Sequence, residues 1–157
     1  MALSPYLHFD GTCAEALRFY ADVFGDPAPE LMTYDTVPDA PADWASSRIL
    51  HGQVKIADGM LLASDSPPGE PVEPQAGMSI CASLPSADGA KAAFERLAEG
   101  GAIIMPFGET FFSPVFGSVT QPDTVTSEKA AKVEISRRDF FMASSPSWPK
   151  VVTATLT

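Results

Sequence analysis

Apolar side chains between residues 12 and 25 recur at helical spacing, with Cys13, Leu17, Tyr20 and Phe24 on one face. Thr12 followed by Glu15 predicts a capping box, in which each side chain satisfies a free backbone N–H at the other end of the first turn. Gly25 is placed to close the helix in the left-handed conformation, so the pattern predicts a helix over 12–24. A short strand over 6–9 precedes it. Strand character returns over 31–36. Over 49–56 the period changes to two: His51, Gln53 and Lys55 share one face, and Gly52, Val54 and Ile56 the other. Asp58-Gly59 is read as the tight turn of a hairpin that returns through 60–65.

The order then repeats. Residues 66–76, with prolines at 67, 68, 71 and 74, cannot sit inside a sheet and read as a semi-rigid linker. Residues 78–84 form a strand, and Ser86 caps a helix whose Ala90, Ala93, Phe94 and Leu97 share a face and which ends at Gly100-Gly101. Strands over 102–105 and 115–120 bracket an aromatic loop carrying Phe107, Phe111 and Phe112. The chain therefore reads as α+β, with two βαβββ modules at 1–65 and 77–120 and a tail from 121 to 157 in which the last strand is uncertain. Residues 132–135 or 140–143 could supply that closing strand.

Charge separates the tail from the modules. Residues 1–127 carry five basic and 17 acidic side chains, whereas 128–157 carry five and three, so the net charge of −10 averages two unlike pieces. A pI near 4.4 argues against nucleic acid or an anionic membrane and favours cationic or neutral partners. Two cysteines without CxxC spacing read as reduced thiols, and no apolar run approaches the length of a membrane span, so a cytoplasmic location is expected. Neither a GxSxG elbow nor a glycine-rich phosphate loop is present, which argues against a serine nucleophile and a nucleotide or methyl-donor site of Rossmann type.

Several segments carry a family resemblance. Ser4 through Tyr20, Pro41-Ala-Asp-Trp44, Ile49-Leu-His51, Met60 through Asp65, Leu97 through Gly101, Met105-Pro106, Phe111-Phe112 and Phe116-Gly117 resemble, in this order, PhnB-like proteins. These belong to the glyoxalase, bleomycin-resistance and extradiol-dioxygenase superfamily, also called vicinal oxygen chelate. The resemblance spans about residues 4–120 and implies curved mixed sheets around a concave pocket, usually in a homodimer. The 66–76 linker is long enough to exchange modules between partners. Superfamily enzymes commonly hold a divalent metal through His, Gln or Glu, with open positions for Lewis-acid chemistry. Here the repeat strand offers at best Cys81, and after Thr120 the chain departs from the family's Asp-x-Phe-Gly-x-x-Trp turn.

The candidate pocket residues are His8, Trp44, His51, Gln53, Ser64, Asp65, Glu109, Phe111 and Phe112, with His8 and His51 as the candidate metal ligands. The plainer readings are a hydrogen-bonded strand residue for His8, turn chemistry for Asp65 and an exposed loop acid for Glu109. No cofactor is firmly implied beyond a possible divalent metal, and no catalytic residue is identified. The expected function is small-molecule binding by a homodimer; the alternative is a metal-dependent lyase, isomerase or dioxygenase of the same superfamily.

Overall fold

The computed structural model describes residues 3–25, 27–41, 44, 47–70, 72, 79–99, 101–122, 130–135 and 150–154. The chain divides into two compact units, Met1–Glu73 and Pro74–Thr157. Both are α+β. No helix among the described residues is long and apolar enough to cross a membrane.

The first unit comprises β1 (Tyr6–Phe9), α1 (Cys13–Phe24), β2 (Glu30–Thr33), a single 3-10 turn over Tyr34–Thr36, β3 (Ile49–Ile56) and β4 (Gly59–Asp65). The strands form one mixed sheet in the order β1-β4-β3-β2, with β1 parallel to β4 and the other pairs antiparallel. Helix α1 buries Cys13, Ala16, Leu17, Tyr20 and Ala21. Leu17 seats against Gly52, where an added Cβ would come within 2.5 Å of the leucine Cδ1. The glycine is a socket for the helix. Leu7, Val54, Leu61 and Ala63 complete this buried layer.

Three local expectations change. Thr12 makes no side-chain cap bond, so the capping box does not form; Gly25 does close the helix, at φ 68°. The hairpin turn is Ala57-Asp58 rather than Asp58-Gly59, because Gly59 already pairs with Ile56, and Ala57 takes the positive φ of 50°. Strand β2 stops at Thr33, where pairing steps from Met32↔His51 to Thr33↔Ile49. The extra residue, Leu50, forms a bulge that turns Ile49 to the helix-facing side.

The second unit comprises β5 (Ile80–Leu84), α2 (Ala87–Ala98), β6 (Ala102–Thr110), β7 (Ser113–Pro122), β8 (Ala130–Ile135) and β9 (Lys150–Ala154). Ser86 caps α2 as expected, accepting from the Gly89 N–H at 3.0 Å. Phe94 seats against Gly117, and Ala90, Ala93 and Leu97 share its buried face. The expected aromatic loop is instead two long strands joined at Phe111-Phe112; Phe107 belongs to β6 and packs on Phe94 at a centroid distance of 5.4 Å.

The tail supplies two strands. In the first unit β4 pairs with both β1 and β3; in the second, β8 pairs with β7 and β9 with β5, both antiparallel. Residues 132–135 lie within β8, whereas 140–143 lie outside the described residues.

Candidate functional site

Strand alternation in the first unit sends one set of side chains toward α1 and the other to the opposite, open face of the sheet. Tyr6, Leu62, Gln53 and Glu30 are paired in register across all four strands. The adjacent row holds His8 opposite Ser64 and His51 opposite Met32. Four of the expected pocket residues, His8, His51, Gln53 and Ser64, are therefore brought together on one face.

Polar contacts knit this face in pairs. The Tyr6 hydroxyl lies 3.2 Å from His51 Nδ1, the Ser64 hydroxyl lies 3.2 Å from His8 Nδ1, and Gln53 Nε2 donates to Glu30 Oε2 at 2.6 Å. The Tyr6 ring lies near both imidazoles, with centroids 5.1 Å from His8 and 5.9 Å from His51. Ser64 is buried, His51 and Gln53 are half-buried, and His8 is exposed. The arrangement presents hydrogen-bonding edges over an aromatic and apolar floor.

Asp65, next in sequence to Ser64, faces the other way. Its carboxylate is 1% exposed and accepts the Cys13 N–H at 3.0 Å and the Ile49 N–H at 2.7 Å, while its carbonyl accepts the Tyr34 hydroxyl at 3.0 Å. Both carboxylate oxygens thus bind backbone, and one of them performs the helix-start task that Thr12 leaves undone. Burial, assisted by this carboxylate, pushes the Cys13 thiol up to about 12 and raises the Tyr34 phenol above its ordinary value. Trp44 packs edge-on against Tyr34 at 5.0 Å. The structure places Asp65 in this buried joint, with half-buried Trp44 packed on its Tyr34, apart from the histidines.

Glu109, Phe111 and Phe112 belong to the second unit. Glu109 is exposed on β6, and Phe111 is 98% exposed at the β6–β7 turn. Phe112 makes edge contacts with Phe111 at 4.9 Å and with Phe116 at 5.1 Å.

Among the described residues no three His, Cys, Asp or Glu side chains gather as a ligand group. On the open face both Nδ1 atoms lie beside hydroxyls and the one carboxylate is bonded to Gln53. With no third ligand gathered beside the two histidines, the described residues do not assemble the three-ligand set of an open metal site.

The solved structure of protein PA1353 from Pseudomonas aeruginosa is 37% identical to this chain, with a TM-score of 0.67, over 76% of this chain and 89% of that one. Protein YjdN of Escherichia coli K12 is 29% identical over 130 residues, covering 76% of this chain and 88% of its own length. The chain belongs to the PhnB/YjdN-like family. The fold of this PhnB/YjdN-like chain is also that of the PhnB protein from Bacillus cereus, which carries a 3-demethylubiquinone-9 3-methyltransferase label; it is 24% identical, with a TM-score of 0.59, over 76% and 90% of the two chains. No family model matches the chain.

Sequence reasoning missed Tyr6, Glu30, Met32 and Leu62 as members of the face. Tyr6 was within reach of the pattern, since it lies two residues from His8 on the same strand. Glu30 and Met32 depend on the β2–β3 register, which no local signal specifies.

Proposed function

We propose that this chain is a small-molecule-binding protein of the glyoxalase, bleomycin-resistance and extradiol-dioxygenase superfamily, acting as a cytoplasmic homodimer. The open face of the first unit's sheet is its ligand surface. The observation that carries this reading is the gathering of Tyr6, His8, His51, Gln53 and Ser64 on one face while α1 seals the other. Binding is preferred to metal-assisted chemistry because no three His, Cys, Asp or Glu side chains gather among the described residues. Homodimerisation is supported by the family resemblance and by β6, an edge strand with Ile103, Ile104 and Met105 exposed. Residues 102–108 carry no charge in a chain of net −10, so two copies can meet there without repulsion.

Thermal-shift screening of the full chain against small aromatic compounds of each charge type tests the reading. A ligand at about 100 times its Kd stabilises by roughly 2.7 kcal/mol, a shift of several degrees, and His51→Ala is expected to reduce that shift. A flat response to every compound contradicts it. Stoichiometric metal in natively purified protein, with activity that depends on it, replaces it with the enzymatic alternative.

A further inference from the structure

Seven large apolar side chains stand exposed among the described residues, and four of them, Ile103, Ile104, Met105 and Phe111, lie on the hairpin formed by β6 and β7. Charged side chains make up 19% of the chain, yet between residues 102 and 122 Glu109 is the one charge. Strand β6 is the edge of its sheet, paired with β7 on one side and with no strand among the described residues on the other.

Exposed edges are ordinarily guarded by charge, and from Ala102 to Gly108 that guard is missing. Pro106 has no N–H to donate, and pairing with β7 slips between Ile103 and Met105, between Met105 and Gly108 and between Gly108 and Thr110. The edge is therefore poorly suited to a continuous backbone ladder, and what it offers a partner is side chains. Ile103 pairs with Val119 and Met105 with Ser118, neighbours on β7 that point to opposite faces, so apolar surface wraps both sides of the edge. At the turn Phe111 is 98% exposed, held by an edge contact with Phe112 at 4.9 Å. A ring of this size buries about 150–250 Å², a sizeable share of the roughly 800 Å² that each partner contributes to a standard interface.

Charge identifies the occupant. A chain of net −10 repels its own copy on most approaches, and the uncharged hairpin is where two copies meet without that repulsion. A basic partner would gain more from the acidic surfaces elsewhere on the chain.

We propose that the β6–β7 hairpin is the self-association surface of the chain: two copies meet about a two-fold axis near Phe107, their β6 strands antiparallel, so that Phe111 of each covers Ile103 to Met105 of the other. A contact of this kind is self-complementary and closes as a dimer. The proposal rests on the homodimer inferred above and adds the turn, the register and the residues that carry it.

Sedimentation velocity of the full chain over a wide concentration range tests it, with Ile104→Lys and Phe111→Lys beside the native sequence. Each lysine lowers the net negative charge, which by itself favours association, so dissociation reports the loss of apolar contact. Each is expected to weaken the dimer about tenfold or more, with circular dichroism unchanged. In a Cys81→Ser background, Ile103→Cys combined with Phe111→Cys is expected to yield a disulfide-linked dimer, since within one chain the two positions lie roughly 25 Å apart along the strand and cannot bridge. A monomer at every concentration overturns the contact and the homodimer together. A dimer that both lysine variants retain overturns the hairpin assignment and leaves the homodimer standing. A dimer weakened by the lysines yet never linked through the two cysteines overturns the antiparallel register.

Discussion

In the first unit Leu17 of α1 sits on Gly52 of β3; in the second, Phe94 of α2 sits on Gly117 of β7. The residues flanking the two glycines point away from the helix, and there the units part. His51 and Gln53 are half-buried and polar, whereas Phe116 is 6% exposed and Ser118 is 1% exposed. Helix packing constrains one face of each sheet to small and apolar residues, because interiors tolerate neither voids nor overlap. The opposite face is free to diverge. In one unit it bears hydrogen-bonding chemistry, and in the other it is buried.

The helix starts differ as well, and they offer the strongest way to break the comparison. Helix α1 depends on a carboxylate 52 residues away in sequence, whereas α2 is capped by the adjacent Ser86. Asp65→Ala leaves the buried N–H groups of Cys13 and Ile49 without acceptors, at about 3 kcal/mol of stability. Ser86→Ala is expected to cost about 1 kcal/mol. Urea denaturation of both variants checks the order; a larger loss from Ser86→Ala contradicts it.

The glycine sockets come next. An alanine at 117 would meet the Phe94 ring at 2.7 Å and the Phe107 Cα at 3.1 Å, so backbone as well as side chain must shift. An alanine at 52 would meet the ends of two leucines, at 2.5 Å and 3.1 Å, which can rotate. Gly117→Ala is therefore expected to cost about 2 kcal/mol and Gly52→Ala about 1, within the usual range for overpacking, as measured by the same denaturation series.

A further effect is alkaline. Folded Cys13 keeps its proton up to about 12, against 9.0 for the unfolded thiol, so the unfolded state releases protons first as pH rises. Stability is whole below pH 9 and falls progressively toward pH 12; the raised Tyr34 phenol adds to the fall in the same direction. Cys13→Ala should flatten the loss of Tm between pH 9 and 11. In the native protein at pH 8, a thiol reagent should modify exposed Cys81 quickly and buried Cys13 only on unfolding.

Much of the scaffold was legible because it rests on local signals: the helical stripe from Cys13 to Phe24, Gly25, and Ser86. The capping of α1 was not, since Asp65 acts across 52 residues and leaves no pattern near Thr12. Of the candidate site, the period-two alternation of His51 and Gln53 placed both on one face, and the structure sets His8 and Ser64 beside them. Asp65 lies on the other face because neighbours in a strand point to opposite faces, and Trp44, which is in no strand, packs on Tyr34.

On the function proposed above, ligand chemistry belongs to the first unit's open face and not to the second unit. Amide chemical-shift mapping of the chain with the small aromatic compound that gives the largest thermal shift distinguishes the two. Perturbations centred on β1, β3 and β4, around Tyr6, His8, His51, Gln53 and Ser64, are predicted; perturbations centred on β6 and β7 would contradict it.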